Sequence, residues 1–373
     1  MRRIARWEKA LPSVRLQTGR TLLLEGPASV RLEDGEGSIL GAPLSKGWAI
    51  VREDRQIPIE TSTSAGLEVR LGQEAKYKII QESTIPTGWR EASQIALQSP
   101  GTVVILGDVD SGKSTLCTFL ANECHRYGLK VGVIDGDVGQ ADIGPPTTIS
   151  TSKLGSHIFT LQDLSPEISL FMGDTSPSSV SEKLSHGLVG LKKSTVAKSD
   201  LLLVNTDGWV QGDDALRYKA QLLDDLQPDL VLGISSDGEL DPLMELQASA
   251  SLKLSKSPYA RTRSREDRKR AREYGYKRFL QNATRIKLRL REVRLRRFDS
   301  REQQLRLDRN EDLRGVLAGL LDEEERLISL GRVERLENGL LTLTTASKES
   351  PKVVELGAVV LSSSFEEAGF GLR

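Results

Sequence analysis

The chain has 373 residues, 38% of them hydrophobic and 28% charged, and its 52 Lys or Arg are balanced by 52 Asp or Glu. That length exceeds one ordinary domain, and the composition is that of a globular protein with apolar material for several cores. Its only cysteines, Cys117 and Cys124, and three scattered histidines, His125, His157 and His186, exclude a disulfide framework, a zinc site and histidine-based metal chemistry, and fit a reducing compartment.

The segment Met1-Arg2-Arg3-Ile4-Ala5-Arg6-Trp7 lacks the apolar stretch of a signal peptide, and no later run is long enough to span a bilayer. The expectation is a cytoplasmic protein, nuclear if the source is a eukaryote, with no membrane partner. Residues 1–92 read as a small all-β domain, a sandwich or barrel. Short apolar stretches such as Leu22-Leu23-Leu24 and Trp48-Ala49-Ile50-Val51 are separated there by turn signals such as Gly26-Pro27 and Asp34-Gly35. Ile85-Pro86-Thr87-Gly88-Trp89 reads as the exit from it.

Residues 93–285 then alternate apolar strands (103–106, 131–134, 168–171, 201–204, 230–234) with helical stretches (113–127, 178–196, 213–226). This predicts an α/β domain whose mostly parallel sheet is covered on both faces, with ligands beyond the carboxyl ends of its strands. A basic segment closes it. Residues 261–297 hold sixteen Lys or Arg against four acids, a local +12 in a neutral chain, which points to a polyanion contact. Its part from about 261 to 285 reads as a polar lid helix that Ser264 and Asp267 would start. Residues 286–373 return to short alternating runs punctuated by glycine, a second all-β domain of unread function.

Gly107-Asp108-Val109-Asp110-Ser111-Gly112-Lys113-Ser114-Thr115 follows the first of these central strands and precedes a helical run containing Leu116, Phe119 and Leu120 that Gly128 stops. Strand, glycine turn and helix start are what a phosphate-binding loop needs, because the free amides at the helix start face the anion. Lys113 is expected on the β- and γ-phosphates, and the Ser114 hydroxyl on Mg²⁺. Asp135-Gly136-Asp137-Val138-Gly139-Gln140 follows the second strand. Carboxylates there either hold the metal or accept a proton from an attacking hydroxyl, and Gln140 bonds a phosphate or orients a nucleophile. Asn205-Thr206-Asp207-Gly208-Trp209 ends another strand, with Trp209 either a stacking surface for a base or a core anchor of the next helix. In the basic segment Arg268 and Arg272 stand four apart, on one helix face, although any other pair among Arg265, Arg268, Lys269, Arg270 and Arg272 remains a candidate on sequence alone.

Together these stretches resemble the polynucleotide 5′-hydroxyl kinase family that includes the kinase subunit of the eukaryotic pre-mRNA cleavage factor and its ribosomal-RNA-processing relatives. The resemblance rests on a phosphate loop with an internal acid (Asp110), an Asp-x-Asp-x-Gly-Gln element (Asp135, Asp137, Gly139, Gln140), a Thr-x-Gly-Trp element (Thr206, Gly208, Trp209) and an Arg-x-x-x-Arg lid (Arg268, Arg272). It also extends to Gly173-Asp174-Thr175-Ser176-Pro177 and to the three-part layout, and the compact length is similar to archaeal members. The resemblance implies transfer of the γ-phosphoryl group of ATP, or of GTP or another nucleoside triphosphate, to the 5′-hydroxyl end of RNA or DNA. It makes Asp137 the base, Asp135 a group that organises the metal, Thr206 and Gln140 the residues that position the end phosphodiester, and Arg268 and Arg272 the lid. RNA-processing proteins would be its partners. The loop Gly144-Pro145-Pro146-Thr147 departs from the Pro-Pro-Gly of relatives, which bears on substrate preference. Two rival readings are a nucleotide-bound scaffold with little turnover and a switch ATPase or GTPase.

Overall fold

The computed structural model describes residues 9–10, 13–53, 55–245, 250–299 and 313–370, so the N-terminal stretch 1–7 lies outside the described residues. Seven strands form the central sheet, in the order Ile168–Phe171, Thr148–Lys153, Val131–Gly136, Leu201–Thr206, Thr102–Gly107, Leu230–Ile234, Ala250–Leu254. The last five are mutually parallel, and the first two are added antiparallel. The expected strand at 168–171 therefore joins through an antiparallel neighbour that its sequence, Thr-Ile-Ser-Thr-Ser-Lys, conceals. Two of its hydroxyls are buried as pairs, Ser150 with Ser169 at 2.7 Å and Thr151 with Thr195 at 3.0 Å, and those of Thr148 and Ser152 donate to backbone carbonyls, so polar residues occupy a dry strand at little cost.

Among the described residues six α-helices accompany the sheet: α1 (Thr87–Gln98), α2 (Lys113–Arg126), α3 (Pro177–Thr195), α4 (Asp213–Leu226), the short α5 (Asp241–Glu245) and α6 (Arg265–Phe279). Helix α1 runs across the expected boundary at residue 92. Its apolar face, Trp89, Ala92 and Ala96, is fully buried, whereas its sequence lacks an N-terminal cap to announce it.

Side chains alternate between the two faces of the sheet. Val103, Ile105, Val133, Leu203 and Leu232 share one core with α1, α2 and the N-terminal strands. Val104, Leu106, Ile134, Leu202 and Val231 share the opposite core with α3, α4 and α5. Residues 9–80 form two five-stranded antiparallel sheets, whose Leu22, Ile59, Leu67 and Val69 belong to the first core.

The C-terminal strands form a seven-stranded sheet, in which Thr284–Arg289 and Arg294–Arg297 lie at opposite ends of the strand order. Five strand spacings of a flat sheet would separate them by about 24 Å. Five peptide steps span at most about 17 Å, so the sheet must curl its ends together. Phe171 of the central sheet and Tyr276 and Leu280 of the basic segment complete a core with Leu317, Val353 and Val359 of this sheet.

Helix α6 is shorter than the expected 261–285. Ser264 Oγ accepts from the Asp267 amide and Asp267 accepts from the Ser264 amide, which starts the helix after Arg261 and Arg263. It ends at Phe279. Asn282 then adopts φ +62°, and Arg285, Lys287 and Arg289 fall on a strand. Among the described residues no helix is long and apolar enough to cross a membrane.

The loop with Pro145 and Pro146 lies under α6. A Cβ on Gly275 would stand 2.8 Å from Pro146 Cγ and Cδ, a ring that cannot swing aside. Gly→Ala within a helix ordinarily gains up to about 1 kcal/mol. Gly275→Ala is expected to lower the melting temperature instead, and a thermal melt of the two proteins checks the sign.

Candidate functional site

The strand Thr102–Gly107 is buried throughout and delivers the loop to the N-terminus of α2. Asp110 takes φ +58°, a left-handed conformation that Asp tolerates better than most residues. Lys113 is 5% exposed and folds over the loop, donating from Nζ to the carbonyls of Gly107 (2.8 Å) and Asp108 (2.9 Å). Burial pushes its ammonium below the usual lysine range, and the carboxylate of Asp137 opposes that shift. Ser111 Oγ is buried without a partner. Asp108 caps the Val109 amide and accepts from Gln211. Gly208 presses on the same loop, since a Cβ there would lie 2.8 Å from the Val109 nitrogen.

The strand Val131–Gly136, separated from the phosphate-loop strand by Leu201–Thr206, brings up the carboxylates. Asp135 Oδ2 accepts from the amides of Asp142 (2.6 Å) and Ile143 (3.1 Å), and Oδ1 from Asn205 Nδ2 (3.0 Å), which also stands 3.4 Å from Ser114 Oγ. Burial, reinforced by the Asp142 carboxylate, pushes Asp135 up to about 7. Asp137 is raised too, by burial, with Lys113 pulling the other way. Its Oδ1 accepts from the amides of Gly139 and Gln140, and Oδ2 accepts no hydrogen bond among the described residues. Gln140 Oε1 and Asn205 Oδ1 are buried and unpartnered.

Beyond the strand Leu201–Thr206 lies an ion pair that sequence reasoning missed. Lys219 of α4 and Asp207 are both fully buried and meet at 2.7 Å, and Asp207 also accepts from the Trp209 amide (2.9 Å) and Tyr218 hydroxyl (3.2 Å). Trp209 stacks on Tyr218, ring centres 5.7 Å apart, which covers one face of the indole. Thr206 is fully buried with its hydroxyl donated to Ile105 O at 2.8 Å, inside the sheet.

The basic segment is tied down at two places, by Asp110 and by Glu367. Arg263 donates from its amide and from Nε to Asp110 (both 2.9 Å), while Arg268 Nη1 reaches Asp110 Oδ2 at 3.4 Å and the Arg263 carbonyl at 2.7 Å. Arg272 makes a two-point contact with Glu367, Nε to Oε1 at 2.6 Å and Nη2 to Oε2 at 2.7 Å. Sequence reasoning missed Arg263 and Glu367, for neither carries a local signal: their meaning lies in partners 153 and 95 residues away.

Two cavities meet at these groups. One is lined by Lys113, Ser114, Thr115 and Gly112 together with Pro58, Trp89 and Tyr259. The second, of about 410 Å³, is lined by Trp209, Gly208, Ser176, Gln211, Arg268 and Arg272. That volume lies in the usual range of ligand clefts, about 300–1,000 Å³. Asp137 and Gln140 line both. Thr206 lines neither.

A phosphate loop at a strand end, its lysine folded over it and carboxylates at the end of the next strand but one make this a P-loop nucleotide-binding domain. Residues 107–282 match the family described as mRNA cleavage and polyadenylation factor CLP1 P-loop. It is similar to the polyribonucleotide 5′-hydroxyl-kinase of Pyrococcus horikoshii, 36% identical over 188 residues, and to that of Methanocaldococcus jannaschii, 33% identical over 188 residues. Each match covers 50% of this chain and 52% of the relative, so the chain spans about half the length of the curated relatives it matches. The CLP1 homologue of Arabidopsis thaliana is 27% identical over 191 residues, 46% of this chain and 42% of that one. In overall fold the chain superposes on wild-type Clp1p from its complex with Pcf11p, with TM-score 0.72, 11% identity, and 94% and 97% of the two chains covered.

Two outcomes test these interactions. Removing one member of a buried ion pair strands the other charge, so Lys219→Met should cost about 3–5 kcal/mol of stability, and Asp207→Asn added to it should recover part of the loss; urea unfolding of the three variants measures both. Asp135 binds its proton more tightly folded than unfolded, so its contribution to stability is complete below about pH 4 and is lost as pH rises through about 7. In metal-free protein Asp135→Asn should therefore show a shallower fall of unfolding midpoint between about pH 4 and 7 than wild type.

Proposed function

We propose that the protein is an ATP-dependent polynucleotide 5′-hydroxyl kinase that acts on RNA ends, with DNA ends as a second substrate. The observation that carries this reading is the meeting of two cavities at Asp137 and Gln140, one on the phosphate-loop side and one walled by Trp209 and the lid arginines. A γ-phosphate over Lys113 would face an acceptor hydroxyl in the second cavity with Asp137 beside it. The curated archaeal relatives bear the name of this activity.

In this reading the nucleoside lies between the phosphate loop and the N-terminal strands, against Pro58, Trp89 and Tyr259. Pro58 belongs to the strand Gln56–Thr61, which makes the N-terminal sheets part of the nucleotide site. The unpartnered Ser111 hydroxyl is a donor waiting for an anion. Among the described residues no group of three His, Cys, Asp or Glu is arranged to cage a metal. That fits Mg²⁺, which is usually held by one or two carboxylates and substrate phosphates. Ser114 Oγ and the Asp135 and Asp137 carboxylates would hold it through hard oxygen donors, and its charge would offset that of the β- and γ-phosphates.

Asp137 accepts the proton of the 5′-hydroxyl. Burial raises its basicity toward the range in which proton acceptance is efficient. Gln140 and the exposed side of Trp209 hold the end nucleotide, while Thr206 acts only by holding the strand end in place. Arg268 leaves Asp110, and Arg272 presents its free nitrogen, to meet charge as it develops on the transferred group. We divide the chain at residues 92 and 285 as expected, except that all of α1 counts with the central domain. RNA-processing proteins remain the proposed partners.

Incubation with γ-labelled ATP and a 5′-hydroxyl oligoribonucleotide tests the reading. Label on the oligonucleotide supports the kinase, label released only as phosphate supports a switch hydrolase, and neither supports a scaffold. Lys113→Ala should abolish transfer. Asp137→Asn should lower turnover by about 10² or more while retaining ATP affinity, and Arg268→Ala should cost about 10³ or more.

A further inference from the structure

The C-terminal sheet has no role in the account above, yet its last strand reaches the site. Glu367 opens the strand Glu367–Phe370, which pairs with Val353–Leu361. Its carboxylate grips Arg272 by the Nε and Nη2 edge at 2.6 and 2.7 Å, with the side chains 8% and 17% exposed. Nη1 takes no partner among the described residues, and the residue lines the second cavity. An arginine has five donors in a rigid fork, so holding one edge aims the other.

The grip is itself held. The Glu367 amide donates to Glu273 Oε1 at 3.0 Å, one residue beyond Arg272 on α6. One turn further on, Tyr276 is fully buried in the core shared with the C-terminal sheet. Arg268, on the same face of α6, is bound differently, to the phosphate loop itself. The two lid arginines are thus referred to two different parts of the molecule.

We propose that Glu367 is a positioning residue for phosphoryl transfer, which holds the Arg272 guanidinium so that its free nitrogen faces the transferring phosphate. This rests on the kinase reading above. The C-terminal sheet is then the support of one lid arginine. A carboxylate bound at one edge keeps the guanidinium oriented before substrate arrives, so no reorganisation is needed in the transition state. Loss of such a hold acts on turnover and not on ground-state binding.

The test uses the full chain and the variants Glu367→Ala, Glu367→Gln, Arg272→Ala, the double Glu367→Ala/Arg272→Ala, and Glu366→Ala as a control. Glu366 makes an exposed ion pair with Lys277 on the same helix. Glu367→Ala should lower kcat by about 10², the cost of a misplaced group, with KM for ATP and oligonucleotide little changed. Glu367→Gln, which still accepts one hydrogen bond, should lose less. The double variant should be no slower than Arg272→Ala, and Glu366→Ala should match wild type. Costs that multiply in the double variant, or a lowered melting temperature at unchanged kcat, would overturn the proposal.

The Arg272 Nε–H resonance of ¹⁵N-labelled protein gives a readout independent of transfer. It should be resolved and slow to exchange in wild type, shift on addition of the β,γ-imido analogue of ATP with Mg²⁺, and be lost in Glu367→Ala. A resonance already broadened in wild type, or unmoved by the analogue, overturns the hold even if wild-type transfer is absent and the kinase reading has failed.

Discussion

The phosphate loop and the two acidic turns of the site hang from the carboxyl ends of three parallel strands that are dry on both faces. Because side chains alternate, each strand must satisfy two cores at once: Val103 and Ile105 face the N-terminal sheets with α1 and α2, and Val104 and Leu106 face α3, α4 and α5. No strand can slip by one residue without exchanging its faces, so register is tightly specified. The phosphate loop, the Asp135–Asp137 turn and the Asp207–Trp209 turn inherit that precision. They follow three neighbouring strands, Thr102–Gly107, Val131–Gly136 and Leu201–Thr206, paired in register from Val131 with Leu201 and Thr102 with Leu202 onward.

On this base the polar groups brace one another. Asn205 bridges Asp135 to Ser114, the buried Lys219–Asp207 pair shapes the turn that carries Trp209, and Gly208 lets that turn touch Val109. Buried charges of this kind are costly unless paired, and here each pairing also sets the height of a functional loop. Asp142 works on two sides. Its amide holds Asp135, and its carboxylate meets Arg55 from the N-terminal strands.

Helix α6 is the junction of the whole molecule. Its first turn answers to the phosphate loop through Asp110, its middle to the C-terminal strand through Glu367, and its last turn to the core built on Phe171 and Val353. The segment 261–297 is therefore not one electrostatic surface. Arg263, Arg268 and Arg272 neutralise specific carboxylates, whereas Arg285, Lys287 and Arg289 stand exposed on a strand. A local excess of twelve positive charges reads the same in both cases, because charge counts carry no information about distant partners.

Local pattern alone was enough for the phosphate loop, the five apolar strands and the start of α6, since each is dictated by neighbours within a few residues: glycine turns, runs of Val, Ile and Leu, a Ser264–Asp267 cap. It also gathered Asp137, Gln140, Trp209 and Arg268 as residues of interest. What it could not supply was anything decided by contacts across the chain. The strand Thr148–Lys153 hides behind hydroxyls that pair only once folded, and α1 is a helix because Trp89 and Ala92 find a core. Thr206, of promising position, spends its hydroxyl on Ile105. The partners of Asp110 and Arg272 lie 153 and 95 residues away, and only tertiary structure could choose them, because an ion pair is specified by proximity in space and leaves no period or spacing in the sequence.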